Sequence, residues 1–384
     1  MTQTHNLIVL RAFGNDLDAL INEEYMPLMI SRLRGGMTMI QHITTDTDDV
    51  AFERGDEVRI VKPINLGAAR VHGESSEATD LIAEKVNLKL DQHLYVEFKI
   101  SDREVAKTKP GTLPSAIEDG IDKLAEAVNA AVFSCAKEVP AYSGTLDSGN
   151  ERNKRDLINA KKILNDMKVN KNGRILILGS ETESDLLSVF TNGSDQKAEV
   201  DGHIGRRFGF DIYSDIQCED HEAGTASEDA GITTSIDLMK GSKVIVLEGA
   251  TAGATVVKGD IITIGSQSFS VSEDAVFAGG SAAVSVFNAV TSDISAGTSA
   301  KVSGDHRGDL AFTKEAFLAA FRQLVPPMDA PGVTIGQMSD PLSGIPLRML
   351  RWYNPSTEST HIKIEVLFGV KAICPERAIR LGGH

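Results

Sequence analysis

Few side chains of this 384-residue sequence are spaced for catalysis. Ser180 follows an apolar run, but no G-x-S-x-G elbow surrounds it and no histidine partner is evident, so helix capping by Ser180 is the expectation. The stretch CEDHE (218–222) holds a thiol, carboxylates and an imidazole, all of which are metal-ligand types. Adjacent residues of one loop rarely converge on one ion. We therefore predict a solvated acidic loop there, and no catalytic, cofactor or metal site in the chain.

Two other motifs have structural interpretations. Arg-Gly-Asp occurs at 54–56 and at 307–309, and two turns that each open an element are favoured over a cell-adhesion signal. GRRFG (205–209) has the wrong glycine spacing for a nucleotide-binding loop and precedes a predicted strand instead of a helix. Arg206 and Arg207 are candidates for contact with an acidic neighbour in an assembly, against simple solvent exposure.

The composition favours a globular protein made in a cytoplasm. Hydrophobic residues make up 41% of the chain, no apolar run reaches the roughly 20 residues of a membrane span, and no secretory signal is evident. Three cysteines, at 135, 218 and 374, show no zinc spacing and suit a reducing compartment. The formal charge of −15 argues against tight nucleic-acid binding, because such binding needs clustered cations. At this length, more than one packed unit is expected.

Hydrophobic periodicity predicts the elements of the first half. Residues 1–50 combine a mildly helical opening with a polar stretch (44–49) that cannot fold alone, which indicates an extended arm. Period-two alternation predicts strands, two of which would form a long hairpin around a polar tip at 73–77. Apolar residues at spacings of three and four after Pro114 predict a long helix over 114–137. The predicted strands are 52–63, 85–90, 94–100 and 174–179, and a second helix is predicted over 155–167.

Composition changes between about residues 224 and 305, where Ala, Gly, Ser, Thr and Val dominate without helical spacing. This region is typical of a small all-β insertion. Helical spacing returns at 310–321, and closing strands are predicted at 347–353 and 361–368. An α+β unit therefore resumes after the insertion, which interrupts one domain. The candidate strands inside the insertion are 243–248, 255–257, 260–264, 268–271, 282–287 and 299–302.

This order of parts resembles the Hong Kong 97 fold of tailed-phage major capsid proteins over nearly the whole chain. VEFKISDRE (96–104) is similar to the strand and turn before that family's spine helix, and VLFGVKAICPERA (366–378) to its usual ending. Residues 52–63 resemble the start of its extended loop, 205–213 an axial-domain strand and 309–321 its late helix. The inserted β domain is similar to that of the coat proteins of short-tailed podoviruses.

The resemblance implies an α+β, Hong Kong 97-type fold with a small all-β inserted domain. Its parts would be an N-terminal arm (1–50), extended loop and peripheral strands (51–108), the spine helix (109–145), the axial domain (146–228 and 309–350), a β-barrel-like insertion (229–308) and closing strands (351–384). The extended loop would lie across a neighbouring subunit. Some relatives cross-link their subunits covalently, but cross-linking through Lys85 or Lys89 of this loop is not favoured, because nothing in the sequence marks an acceptor residue.

The resemblance also implies a function. The chain would form pentamers and hexamers of an icosahedral head around double-stranded DNA, with a separate scaffolding protein and a portal as partners. It would be assembled in the host bacterial cytoplasm, reside in the virion, contact DNA only non-specifically and have no enzymatic activity and no membrane contact. Two alternatives remain: a tail or surface β-rich protein, which would not explain the long helix, and a hydrolase, which would need converging titratable groups.

Overall fold

The computed structural model of the chain describes residues 26–46, 57–62, 84–103, 112–144, 154–191, 204–218, 220–325, 332–340 and 344–381. All statements on structure below concern these residues. No helix among them is long and apolar enough to cross a membrane.

The second half of the predicted arm is folded into the core. Helix α1 (Met26–Gly35) is followed by a 3-10 turn (Met39–His42) and by strand β1 (Thr44–Asp46), which pairs in parallel with residues 318–320. Met29, Leu33 and residues of the 3-10 turn are buried. The expectation of an extended arm is therefore wrong for 26–46, because the apolar residues before the polar stretch anchor it and sheet pairing satisfies its backbone. Residues 1–25 and 47–50 lie outside the described residues.

The base of the predicted hairpin is confirmed. Strand β2 (Glu57–Val61) pairs antiparallel with β3 (Lys85–Lys89) in the register Glu57 to Lys89. Val58 and Leu88 are buried against a small apolar cluster, while Arg59 and Lys85 are exposed. The polar tip at 73–77 lies outside the described residues.

The long helix forms close to its predicted position. Strand β4 (Gln92–Ser101) precedes helix α2 (Thr112–Phe133), which tightens into a 3-10 turn (Ser134–Glu138) before Pro140. Its 22 residues span about 33 Å at 1.5 Å per residue. A continuous buried stripe follows the spacing of three and four that the sequence showed, and its members are Ile117, Ile121, Leu124, Ala125, Val128 and Val132.

A second unit places two helices on one face of a sheet. Its elements are β5 (Tyr142–Ser143), α3 (Lys154–Asp166), β6 (Arg174–Leu178), α4 (Ser180–Thr191), β7 (Arg206–Arg207) and β8 (Phe210–Ser214). Strand β6 is buried along its whole length. Leu176 and Leu178 share a core with both helices, whereas Ile175 and Ile177 face the core around α2. Because successive side chains of β6 point to opposite faces of the sheet, this one strand contributes to two cores.

The β insertion forms a core of its own. Twenty buried residues between Ala226 and Val302 constitute one apolar cluster that includes no residue of α2 or of β6. All six strands predicted from the sequence are present, and two short ones were missed at Thr233–Thr234 and Ala275–Val276. Its strands are β9 (Thr233–Thr234), β10 (Val244–Glu248), β11 (Thr255–Val256), β12 (Ile261–Ile264), β13 (Gln267–Ser270), β14 (Ala275–Val276), β15 (Ser281–Ser285) and β16 (Ala300–Val302).

The predicted late helix at 310–321 is wrong. The segment forms β17 (Leu310–Thr313), a 3-10 turn (Lys314–Ala316) and β18 (Phe317–Arg322). Every residue of both strands is buried. Two short apolar runs on either side of Thr313, Lys314 and Glu315 fit the helical and the extended period equally well, so spacing could not distinguish a helix from two strands. The two strands also belong to different sheets.

The closing strands complete both sheets. They are β19 (Val333–Ser339), β20 (Pro346–Asn354), β21 (Ser359–Ala372) and β22 (Ala378–Leu381), with a 3-10 turn (Pro375–Arg377) before the last. One sheet has the order β1-β18-β21-β20-β19, with β4 also pairing with β21, and α2 packs on β4 and β21. The other has the order β5-β22-β17-β6-β8-β7. The predicted domain boundaries stay a prediction.

Candidate functional site

The insertion joins the rest of the chain through a narrow polar neck. The backbone N–H of His221 donates to the carbonyl of His306 at 2.7 Å, and the N–H of His306 donates back to His221 at 3.1 Å. The two imidazole rings lie 4.7 Å apart, centre to centre. The chain therefore enters and leaves the insertion side by side, at two buried histidines.

A fully buried carboxylate accepts hydrogen bonds at this neck. Asp260 Oδ1 lies 2.7 Å from His221 Nε2, and Oδ2 accepts from the backbone N–H of Val257 at 2.8 Å and of Gly224 at 3.1 Å. Buried carboxylates need such partners. The expectation of a solvated loop at 218–222 is thus wrong for His221, which is 5% exposed, while Asp220 is exposed.

The last strand of the chain reaches into the insertion through Arg380. Its guanidinium donates to the carbonyl of Gly259 and to Ser270 Oγ, both at 2.7 Å. Burial lowers the pKa of Arg380 to about 10, although the nearby charge of Asp260 opposes that shift. The sequence offered no spacing signal for this contact, because Arg380 and Ser270 are 110 positions apart.

The 3-10 turn that follows α2, and Pro140 after it, also contact the insertion. Lys258 Nζ lies 2.8 Å from Glu138 Oε1, and the side-chain amide of Asn288 donates to the carbonyl of Pro140 at 3.0 Å. A cavity of about 100 Å³ at the neck is lined by residues from α2 and from both neck segments, including Lys137, His221 and Arg380. Together these contacts fix the orientation of the insertion relative to the long helix.

The second Arg-Gly-Asp motif lies beside the neck and ties it to α4. Arg307 contacts Asp185 at 2.6 Å and Glu181 at 3.3 Å, and its side chain is 11% exposed. Burial lowers the pKa of Arg307, but the carboxylates of Asp185, Asp309 and Glu181 raise it above its ordinary value overall. The predicted turn at 307–309 is therefore held inside the molecule. The first motif (54–56) lies outside the described residues.

Asp309 occupies the start of α4, where Ser180 was the predicted cap. Its carboxylate accepts from the backbone N–H of Gly179 at 2.8 Å and from Thr182 Oγ1 at 2.5 Å. Ser180 is the first residue of the helix, and in the described part of the chain no histidine is hydrogen-bonded to it. A carboxylate from a distant strand thus takes the position that local sequence assigned to Ser180.

The structure does not bring the other candidates into one site. Within the ranges described, no group of three His, Cys, Asp or Glu side chains could hold a metal ion. Burial, with smaller contributions from nearby aspartates, raises the pKa of the Cys218 thiol well above its usual value. Arg206 is exposed and lies 3.4 Å from Asp211, while Arg207 stacks over Phe190 at 5.7 Å. Lys85 and Lys89 are exposed at the two ends of β3.

A second buried carboxylate lies in the sheet that contains β4, β20 and β21. Glu365 is fully buried and contacts Arg348 at 2.5 Å, Lys363 at 2.8 Å and His93 Nε2 at 2.9 Å. Burial raises its pKa, but the donors from Lys363, Arg348 and His93 lower it below the ordinary value overall. These contacts join β4, β20 and β21, which together support α2.

Three comparisons with known proteins give the following findings. No protein-family model and no curated protein matches the chain. Among solved structures, "Mycobacterium phage Che8" matches at 13% identity and a TM-score of 0.49, covering 89% of this chain and 90% of that one. "Capsid structure of the Cyanophage P-SCSP1u" matches at 12% identity and 0.48, covering 89% and 86%. "Asymmetric unit of bacteriophage PhiM1 mature capsid" matches at 10% identity and 0.44, covering 91% and 86%. The last two titles name phage capsids.

Proposed function

We propose that this chain is the major capsid protein of a tailed bacteriophage and builds the icosahedral head that encloses its double-stranded DNA. The observation that carries the proposal is the position of α2. The helix lies along β4 and β21 and ends at the neck of an independently packed β insertion. A hairpin precedes the helix, and the unit that contains α3 and α4 follows it. This is the order that the sequence resemblance implies.

We further propose how the elements would correspond to the parts of a Hong Kong 97-type subunit. The hairpin around 56–95 would be the extended loop that lies across a neighbour, α2 the spine helix, and the unit of α3 and α4 the axial domain that meets its copies around five-fold and six-fold axes. Residues from about 229 to 308 would be the inserted domain. Contacts of this heterologous kind close into rings, and many of them sum to a stable container.

The acidic charge supports a container that does not bind its contents tightly. A chain with a formal charge of −15 repels phosphates overall. We propose that DNA is only a non-specific neighbour of the inner surface. A separate scaffolding protein and a portal would be the partners during assembly in the host bacterial cytoplasm, and the virion would be the final location.

The proposal is tested by expressing the full chain in a bacterium, alone and together with a candidate scaffolding protein, followed by negative-stain electron microscopy. The expected products are closed shells or curved sheets that sediment far faster than a 41.2 kDa monomer. A chain that remains monomeric at every concentration, with and without the scaffolding protein, would contradict the proposal.

A further inference from the structure

Residues 152–174 form a basic segment in an otherwise acidic chain. The segment contains eight Lys or Arg and two Asp, a formal charge of +6, while the whole chain carries −15. Helix α3 buries Leu157, Ala160 and Leu164 against the second sheet, so its charged side lies on the surface. The net negative charge of the chain therefore arises from the residues outside this segment.

Three lysines of this segment define what we call the basic face. Lys162 on α3 and Lys168 and Lys171 in the turn after it are exposed, and among the described residues none of them makes an ion pair. Some other surface lysines do have partners: Lys123 contacts Glu126 and Lys258 contacts Glu138. The C-terminal end of a helix stabilises cations through its dipole but does not neutralise them.

An apolar side chain lies beside these cations. Ile158, one turn before Lys162 on the same side of α3, is 49% exposed. Small protein–protein contacts commonly combine an exposed apolar residue with surrounding charges. The apolar group supplies affinity, and the charges supply orientation.

A complementary surface occurs on the same chain. Glu181 and Glu183 lie in the first turn of α4, and Asp220 and Asp305 flank the neck of the insertion. We call these four residues the acidic corner. Burial, and then the carboxylates of Glu181 and Asp305, raise the pKa of Asp220, although a backbone hydrogen bond and Arg307 oppose the shift. The acidic corner thus gathers carboxylates at one surface, where Arg307, which contacts Glu181, is a nearby cation.

We propose that the basic face of one copy docks on the acidic corner of the next copy, in a heterologous contact that repeats around each ring of subunits. This inference rests on the proposed function and assigns the orientation of neighbours in the ring. A heterologous contact needs two different and complementary surfaces on one chain, and the basic face and the acidic corner meet that need.

Charge complementarity favours a second copy over nucleic acid as the partner. The segment 152–174 has a formal charge of +6, but it belongs to a chain of −15 whose net charge repels phosphates. An acidic surface on an identical chain is available at the same concentration as the basic face. Because exposed charges are screened within about 8–10 Å at ordinary salt, the contact should weaken as ionic strength rises.

Charge reversal tests the contact. We expect the Lys162→Glu/Lys168→Glu/Lys171→Glu variant to need about ten-fold more protein than wild type to form particles. Adding Glu181→Lys/Glu183→Lys to the same chain should recover at least part of that loss. The matched control is Lys240→Glu/Lys243→Glu/Lys314→Glu, which makes the same charge change at exposed lysines elsewhere and should assemble like wild type.

The outcomes separate the alternatives. Assembly of the first variant at the wild-type concentration overturns the inference, and if that variant also loses salt-sensitive binding to duplex DNA, the basic face serves nucleic acid instead. An equal loss in the control shows a general charge effect and also overturns it. Thermal unfolding of the unassembled variants shows whether a loss of assembly comes from a folding defect. If the triple variant is destabilised, the single variants Lys162→Glu and Lys171→Glu are tested for assembly in its place.

A cross-linking experiment gives a reading even without shells. In a Cys218→Ser background, a bismaleimide should join chains carrying Lys162→Cys to chains carrying Glu183→Cys when the two are mixed, but should join neither kind to itself. Cross-linked pairs without particles would support the contact while contradicting the proposed function. Particles without cross-linked pairs would support the function and overturn the contact.

Discussion

Single buried polar residues determine how the parts of this molecule are oriented. Arg380, Asp260 and His221 lie at the neck of the insertion, and each is at least nine-tenths buried. Buried polar groups are tolerated only when they are hydrogen-bonded, and removal of one partner leaves the other unsatisfied. Substitutions there should therefore affect the attachment of the insertion more than its own core.

Replacing Arg380 tests this attachment. Arg380→Met leaves the Gly259 carbonyl and the Ser270 hydroxyl without their donor. We expect a loss of about 1–3 kcal/mol in the free energy of unfolding and faster hydrogen exchange in β12 and β13. Arg59→Met, at an exposed position of β2, is the control and should change neither quantity. Unchanged exchange in β12 and β13 would contradict the assigned role.

Glu365 makes stability depend on pH. Because its pKa in the folded chain is depressed below the ordinary glutamate value of about 4.3, its ionised form stabilises the fold above that value. That contribution is lost as the pH falls through the depressed pKa. We expect Glu365→Gln to be less stable than wild type at neutral pH, with a difference that shrinks in acid. Urea unfolding at several pH values measures it, and a constant difference would contradict the prediction.

At the scale of the element, close approach of backbones fixes the hairpin base on the long strand. A Cβ added at Gly369 of β21 would lie 2.0 Å from the carbonyl oxygen of Lys89 in β3, a distance that atoms do not adopt. Glycine is required here by space and not by an unusual backbone angle. The hairpin base is therefore seated on β21 by the absence of a side chain.

Gly369→Ala should displace the hairpin. We expect the variant to fold, because α2 and the rest of the sheet remain packed, but to lose protection of the β2 and β3 amides by at least about ten-fold. If the hairpin is the extended loop, assembly should fail as well. Gly35→Ala, where an added Cβ meets nothing within 4 Å, is the matched control. Wild-type hydrogen exchange in β2 and β3 would contradict this reading.

At the scale of the whole molecule, the core of the insertion meets the rest of the molecule at one polar neck. The insertion cluster contains Ile245, Val256 and Phe269, and its boundary is the paired backbone of His221 and His306. An apolar core that is closed on itself favours independent folding. The length of the insertion, about 85 residues between the paired histidines, is sufficient for a small domain.

The isolated insertion should therefore fold. We expect a fragment of residues 220–307 to unfold cooperatively on heating and to show dispersed amide resonances, with lower stability than in the full chain because Arg380 and Glu138 are missing. Its counterpart, the chain with residues 224–303 replaced by a short Gly/Ser linker, should retain the helical signal of α2. A fragment without cooperative unfolding would show that the insertion depends on the neck.

The sequence alone determined the elements whose pattern has one interpretation. The stripe from Ile117 to Val132 could only be an amphipathic helix, and the short apolar runs of the insertion, separated by Gly-rich turns, could only be β structure, because local periodicity reports which face is buried. The resemblance to phage capsid proteins likewise follows from the order of such elements along the chain.

Only the tertiary structure decided what depends on distant partners. The run at 310–321 became two strands because β6 and β21 pair with it, and Thr44–Asp46 became a strand because β18 accepts it. Asp309 accepts the hydrogen bonds at the start of α4 where Ser180 was the predicted cap, and His221 is buried against Asp260 instead of lying in solvent. In each case a partner more than 30 positions away satisfies the polar group or buries the apolar one, and local spacing carries no information about such a partner.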